Sequence, residues 1–218
     1  MIMKKAVIFD LDGTLADTIE SLTYCGNRAL KKYGFREFEG EDYKYFVGDG
    51  AATLIERALL KAGDTELLHF EEVFAEYKRL FKVDCMYHVG PYDGIVDLIQ
   101  ALKEQEIRIA VLSNKPHENT INVVETLFGA GVFDWIQGQK EGIPKKPDPA
   151  GVYQIMEGMD LKAEDFLYVG DTGTDMQTGT SAGLFTVGVL WGFRKRDELE
   201  ENHADAIISH PLDLLKYL

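Results

Sequence analysis

KAVIFDLDGTLADT, residues 5–18, is the stretch whose reading decides the fold. It opens with a continuous apolar run of the kind found in strands buried on both faces of a parallel sheet. The run stops by presenting Asp10 and Asp12 close together, where their charges repel unless something cationic sits between them. Gly13 then supplies the positive φ that a tight turn uses.

Working outward, similar runs recur at 107–114 (IRIAVLSN), 133–138 (FDWIQG), 165–171 (DFLYVGD), 184–190 (LFTVGVL) and 204–209 (ADAIIS). They alternate with segments of helical periodicity, which predicts βαβ units and an α/β fold built on a Rossmann-like parallel sheet. One connection breaks the rhythm. Residues 17–81 read as three amphipathic helices before the second strand arrives. The first carries Ile19, Leu22, Ala29, Leu30 and Tyr33 on one face, an Asp17/Glu20 pair resembling a capping box, and Gly34 as its stop. The second groups Leu54, Ile55, Ala58 and Leu59 and ends near Gly63. The third, from about Thr65, aligns Leu67, Phe70, Phe74, Tyr77 and Phe81.

That stretch is too long for an ordinary crossover and is expected to form an inserted all-helical domain, residues 16–85, within an α/β core domain of residues 1–15 and 86–218. The glycine-containing flanks DGTLADT and HVGPYDG suit hinges, so the inserted module is placed to open and close over whatever the acids bind.

Composition narrows the partners. The 218 residues carry a formal net charge of −14, which opposes nonspecific attraction to nucleic acid or anionic membranes. Cys25 and Cys85 are too few for a disulfide framework and read as reduced packing residues. No apolar run approaches the roughly 20 residues that span a bilayer, and the N-terminal stretch lacks a signal peptide's apolar region, so no membrane association and a cytoplasmic location are expected. His69, His88, His117, His203 and His210 form no pair at metal-binding spacing. Trp191 and Phe193 read as packing residues near a loop.

In an open parallel sheet the ligand lies beyond the carboxyl ends of the strands, where strand order reverses. Polar residues gather there four times: Asp10 and Asp12 after the first run, Ser113 and Asn114 after the second, KKPDP ahead of a helix, and GDTGTD after FLYV. At these positions, and over essentially its whole length, the sequence resembles the haloacid dehalogenase superfamily, specifically phosphatases with a helical cap inserted after the first motif. VLWGF and ADAIIS are similar to its phosphoglycolate phosphatase branch.

The resemblance implies a Mg²⁺-dependent phosphatase acting on a small phosphorylated metabolite as a monomer or homodimer, with 2-phosphoglycolate the leading substrate. Asp10 is then the nucleophile that forms an aspartyl phosphate, because a metal-held carboxylate can attack phosphorus and split one displacement into two. Asp12 serves as general acid and base, and the resemblance adds its backbone carbonyl as a metal ligand. Asp10 and Asp171 hold the Mg²⁺, an ion that takes hard oxygen ligands. Asp175 orients a metal water or caps the helix that begins there.

Lys146 matches the lysine that neutralises nucleophile and phosphate; Lys145 reads as a surface charge. Gly13, Thr14, Ser113 and Asn114 are candidates for cradling the phosphoryl group with hydroxyls and amides. Lys115 either reaches substrate or solvates its loop. Gly48, in FVGDGAA, either approaches the substrate or serves a plain turn. A second carboxylate on the substrate calls for a cation from the inserted domain, and Lys44, Arg57, Lys61 and Lys78 are the candidates.

Other readings use the same residues. One is phosphoryl transfer to a sugar hydroxyl as in β-phosphoglucomutases, which typically carry DGV where this chain has DGT. Another is pyrophosphate hydrolysis. A phosphometabolite-binding module is the non-enzyme reading, though binding alone requires no nucleophile.

Overall fold

In the computed structural model, which describes residues 3–218, the apolar runs line up as neighbours in one sheet. The strands are β1 (Ala6–Phe9), β4 (Arg108–Pro116), β5 (Trp135–Gln139), β6 (Phe166–Gly170), β7 (Phe185–Val189) and β8 (Ala206–Ile208), in the order β5-β4-β1-β6-β7-β8. Every adjacent pair is parallel; Ile8 stands beside Ala110 on one side and Tyr168 on the other. The two-residue strands β2 (Ala16–Asp17) and β3 (Gly90–Pro91) mark where the chain leaves and re-enters this unit, which comprises the chain to Asp17 together with Pro91–Leu218.

All four β1 side chains are buried, as a strand covered on both faces requires. On one face Ala6, Ile8, Ala110, Leu112, Phe166 and Tyr168 pack with Val152, Ile155 and Met159 of helix α7 (Ala150–Met159). The order reverses at β1: the chain moves outward through β4 and β5, then returns to β6 and proceeds the other way. The crevice beyond the carboxyl ends of β4, β1 and β6 is therefore the expected ligand position.

The second unit, Thr18–Gly90, is all-helical. It contains α1 (Ile19–Lys32), α2 (Gly40–Phe46), α3 (Ala51–Ala62) and α4 (Phe70–Asp84), four helices where the periodicity predicted three. The additional one, α2, is a short segment begun by reciprocal hydrogen bonding between Glu39 and Asp42, and its seven residues are too few to establish a stripe.

Two local expectations are corrected. Thr18 is the residue preceding α1, without a side-chain capping bond, and Glu20 meets His88 at 2.6 Å instead of completing a box with Asp17. The last helix starts at Phe70 because the Asp64 carboxylate accepts from the Leu68 and His69 N–H groups, both at 3.0 Å, and holds the preceding segment in a turn. Consequently Val73, Tyr77, Leu80 and Phe81 form the buried face of α4, while Phe70 and Phe74 stack on each other half-buried. Cys25 and Cys85 are both buried, and no disulfide joins them. Among the described residues, no helix is long and apolar enough to cross a membrane.

Candidate active site

Four polar segments converge at the carboxyl ends of the central strands. Asp10 follows β1 directly, and residues 11–16 fold into a tight turn in which the N–H groups of Thr14, Leu15 and Ala16 all point at Leu11 O. Gly13 sits in this turn at φ +90°, and its N–H donates to Ala16 O. After β6 the chain enters helix α8 (Gly173–Ser181), whose preceding residue Thr172 forms a capping box with Asp175. Both Asp171 and Asp175 are thereby fixed at the start of a helix, whose end carries partial positive charge.

Asp10, Asp171 and Asp175 are buried, and each offers a carboxylate oxygen within 4.8 Å of the other two. The Lys146 ammonium lies among them, donating to Asp10 Oδ1 at 2.8 Å and Asp175 Oδ1 at 2.6 Å. The other oxygen of Asp175 accepts from the N–H and hydroxyl of Thr172 at 3.1 and 2.6 Å. Asp171 is gripped on both oxygens, by the Thr14 hydroxyl at 3.0 Å and the Phe193 N–H at 2.8 Å.

Three buried acids against one buried ammonium leave an excess of negative charge. Burial, reinforced by the Asp175 charge, raises the Asp10 carboxyl well above the usual range. The same two causes push Asp171 up to about 7, against the opposing pull of its Phe193 and Thr14 hydrogen bonds. Burial alone would lower Lys146, but the Asp10 and Asp175 carboxylates outweigh it and keep the ammonium charged. Carboxylate oxygens from three buried acids, drawn together with too little positive charge among them, are the kind of donor set that a hard divalent cation takes.

The remaining candidates fall on two sides of this cluster. Asn114, on β4, spends its carboxamide on the Lys146 peptide: its Nδ2 donates to Lys146 O at 3.0 Å and its Oδ1 accepts from Lys146 N at 2.8 Å. It thus fixes the segment that carries the lysine. Ser113 Oγ accepts from Lys115 N at 3.2 Å. Lys115, left open between substrate and solvent, is buried with its ammonium on both oxygens of Asp12, at 2.6 and 2.9 Å.

Gly48 lies in the helical unit, in the loop between α2 and α3, at φ +118°. Arg57 holds that loop by donating to Phe46 O at 3.2 Å and pairing with Asp49. Lys44 and Lys61 pair with Glu41 and Asp42 within the same unit, and Lys78 lies 4.4 Å over the ring of Phe74.

Sequence reasoning missed the segment after β7. There Trp191 Nε1 donates to Thr14 O at 3.0 Å, and a Cβ on Gly192 would come within 2.3 Å of Gly13 O and 2.4 Å of Asp171 Cβ. This segment therefore locks both the turn and Asp171, and only a glycine lets it approach so closely. Trp191 and Phe193 read as packing residues, and neither an indole bond to a distant backbone carbonyl nor the missing side chain at Gly192 is signalled by spacing.

Residues 7–189 match the model of the haloacid dehalogenase-like hydrolases. A phosphoglycolate phosphatase of Aquifex aeolicus is 31% identical over 98% of this chain and 96% of its own. Phosphoglycolate phosphatase 1 of Pseudomonas aeruginosa is 29% identical over 98% of this chain and 79% of its own. A crystal structure from Lactobacillus delbrueckii subsp. bulgaricus superposes with a TM-score of 0.92 at 31% identity, covering 99% of this chain and 98% of that one. With its motifs converging at the carboxyl ends of a parallel sheet and its full length aligned, the chain belongs to the haloacid dehalogenase-like hydrolase family.

Proposed function

We propose that this protein is a Mg²⁺-dependent phosphatase that hydrolyses a small phosphate monoester through phospho-Asp10, with 2-phosphoglycolate as its substrate. The observation that carries the reading is the buried Asp10 carboxylate at the end of β1, held at 2.8 Å by Lys146 and flanked by Asp171 and Asp175 within ligand-sharing distance. The substrate follows from the names of the full-length relatives.

Asp10, Asp171 and the Asp12 carbonyl would hold the ion, and Asp175 would orient a water on it. When bound, Mg²⁺ neutralises the carboxylates and the phosphoryl oxygens that otherwise repel the attack. A carboxylate oxygen of Asp10 forms the new bond to phosphorus as the bond to the leaving oxygen breaks, and Asp12 gives that oxygen its proton. Water then bonds to phosphorus, the bond to Asp10 breaks, and Asp12 takes the proton from water as inorganic phosphate departs. Lys146 holds Asp10 in place throughout and offsets charge on both partners. Asn114 and Thr14 act one step back, fixing Lys146 and Asp171.

The test is phosphate release from 2-phosphoglycolate with Mg²⁺ present. The wild-type chain is expected to turn over and Asp10→Asn to be inactive with an unchanged thermal melt. A fully active Asp10→Asn variant would remove the nucleophile from this account.

A further inference from the structure

We propose that Lys115 is the positioning residue for Asp12, fixing its carboxylate for the half-reaction in which water attacks the phosphoenzyme; the inference rests on the reading of Asp12 given above. Two lysines sort the acids of this site. Lys146 takes Asp10 and Asp175, while Lys115 takes Asp12 with both oxygens on one ammonium. The Lys115 side chain is 2% exposed and that of Asp12 is 11% exposed, so the pair is sheltered from the water that weakens ordinary surface bridges. One ammonium on two oxygens sets the plane of the Asp12 carboxylate and so the direction from which it meets the attacking water.

The lysine is itself held by its backbone. Its N–H donates to Ser113 Oγ, and its carbonyl accepts from Thr120 Oγ1 at 3.1 Å. The neighbouring strand β5 comes close because it carries Gly138, where a Cβ would lie 2.6 Å from Lys115 O and 2.3 Å from Thr120 Oγ1. The pairing register of β4 with β5 shifts between Leu112 and Pro116, in the segment that delivers Lys115. A side chain that merely solvated a loop would not be buried, anchored and aimed at an acid 103 positions away.

The experiment uses p-nitrophenyl phosphate, whose leaving group needs no proton, with Mg²⁺ and rapid mixing. In Lys115→Met, kcat should fall about 10- to 100-fold, part of the 10²–10⁴ that general base catalysis supplies. Because only the second half-reaction slows, kcat/KM should stay within about threefold of wild type. A burst of p-nitrophenol and acid-stable phosphorylated protein should appear. Lys115→Arg, whose fork also spans two oxygens, should recover most of kcat and answers the question should the methionine variant melt early.

A raised KM with lower kcat/KM and no burst would make Lys115 a substrate ligand and overturn the proposal, as would unchanged kinetics. Asp12→Asn separates the levels. If it builds up phosphoenzyme and Lys115→Met does not, the inference alone fails; if it keeps wild-type kcat, the role of Asp12 fails and the inference with it.

Discussion

In the α/β unit, Lys146 and Lys115 meet their carboxylates inside the protein; in the helical unit, Lys31 meets Glu37, and Arg79 and Lys32 meet Glu76, with the cations facing solvent. Contact distances overlap, from 2.6 Å at Asp12 to 3.4 Å at Glu37, so distance does not distinguish the two sets. Surroundings do. In water a pair at this range is worth about 0–1 kcal/mol, whereas taking charges out of water costs several kcal/mol each and is tolerated only where every partner is present. The fold accepts that cost most fully at one crevice, where Lys146 reaches two of three clustered acids and Lys115 reaches Asp12. In the helical unit the cations stay in water, and Glu76, whose side chain is 9% exposed, keeps two of them.

Breaking the buried set should have the largest effect. Lys146→Met leaves Asp10 and Asp175 without their shared cation; we expect a loss of about 3–5 kcal/mol in stability and of at least about 10²-fold in kcat, read by thermal denaturation and phosphate release. Retention of both would mean the acids do not depend on this lysine.

A smaller effect tests the packing that holds Asp171 in the crevice. Gly192→Ala pushes a methyl against Gly13 O and Asp171, and the resulting shift should cost about 1–3 kcal/mol along with activity. An unchanged melt and rate would show that the 190–194 segment yields easily and does not lock Asp171.

The smallest effect belongs to the helical unit. Hydrogen bonds from Arg79 and Lys32 hold the Glu76 carboxyl at about 2, against a usual 4.5. Its folded form thus releases the proton more readily than the unfolded chain does. The stabilisation is complete above about pH 4.5 and disappears as pH falls toward about 2. Melts of wild type and Glu76→Gln should differ by no more than about 1 kcal/mol near pH 6 and converge on acidification. A gap that persisted at low pH would assign the difference to packing.

Much of the architecture could be read along the chain. The apolar runs within Ala6–Phe9, Arg108–Pro116 and Phe166–Gly170 announce strands because a sheet covered on both faces leaves no room for alternation. Asp10 and Asp171 stood out because charge at the end of such a run has no packing reason to be there, whereas only the match of KPDP to the family told Lys146 from Lys145. The short α2 did not stand out, since seven residues give periodicity too little length. Nor did the alignment of Asn114 with the Lys146 peptide, a contact between segments 32 positions apart.

By itself, then, the sequence determined the parallel sheet, the helical insertion and the four polar segments, since all depend on patterns local in the chain: hydrophobic period, turn residues and charge at strand ends. Only the tertiary structure decided how the charges are shared out. Which lysine takes which aspartate, why Lys115 is buried, and why Gly192 can lie against Asp171 depend on distances between strands that are far apart in sequence. Such distances are set by how β4, β1, β6 and β7 stack side by side, and no local pattern encodes them.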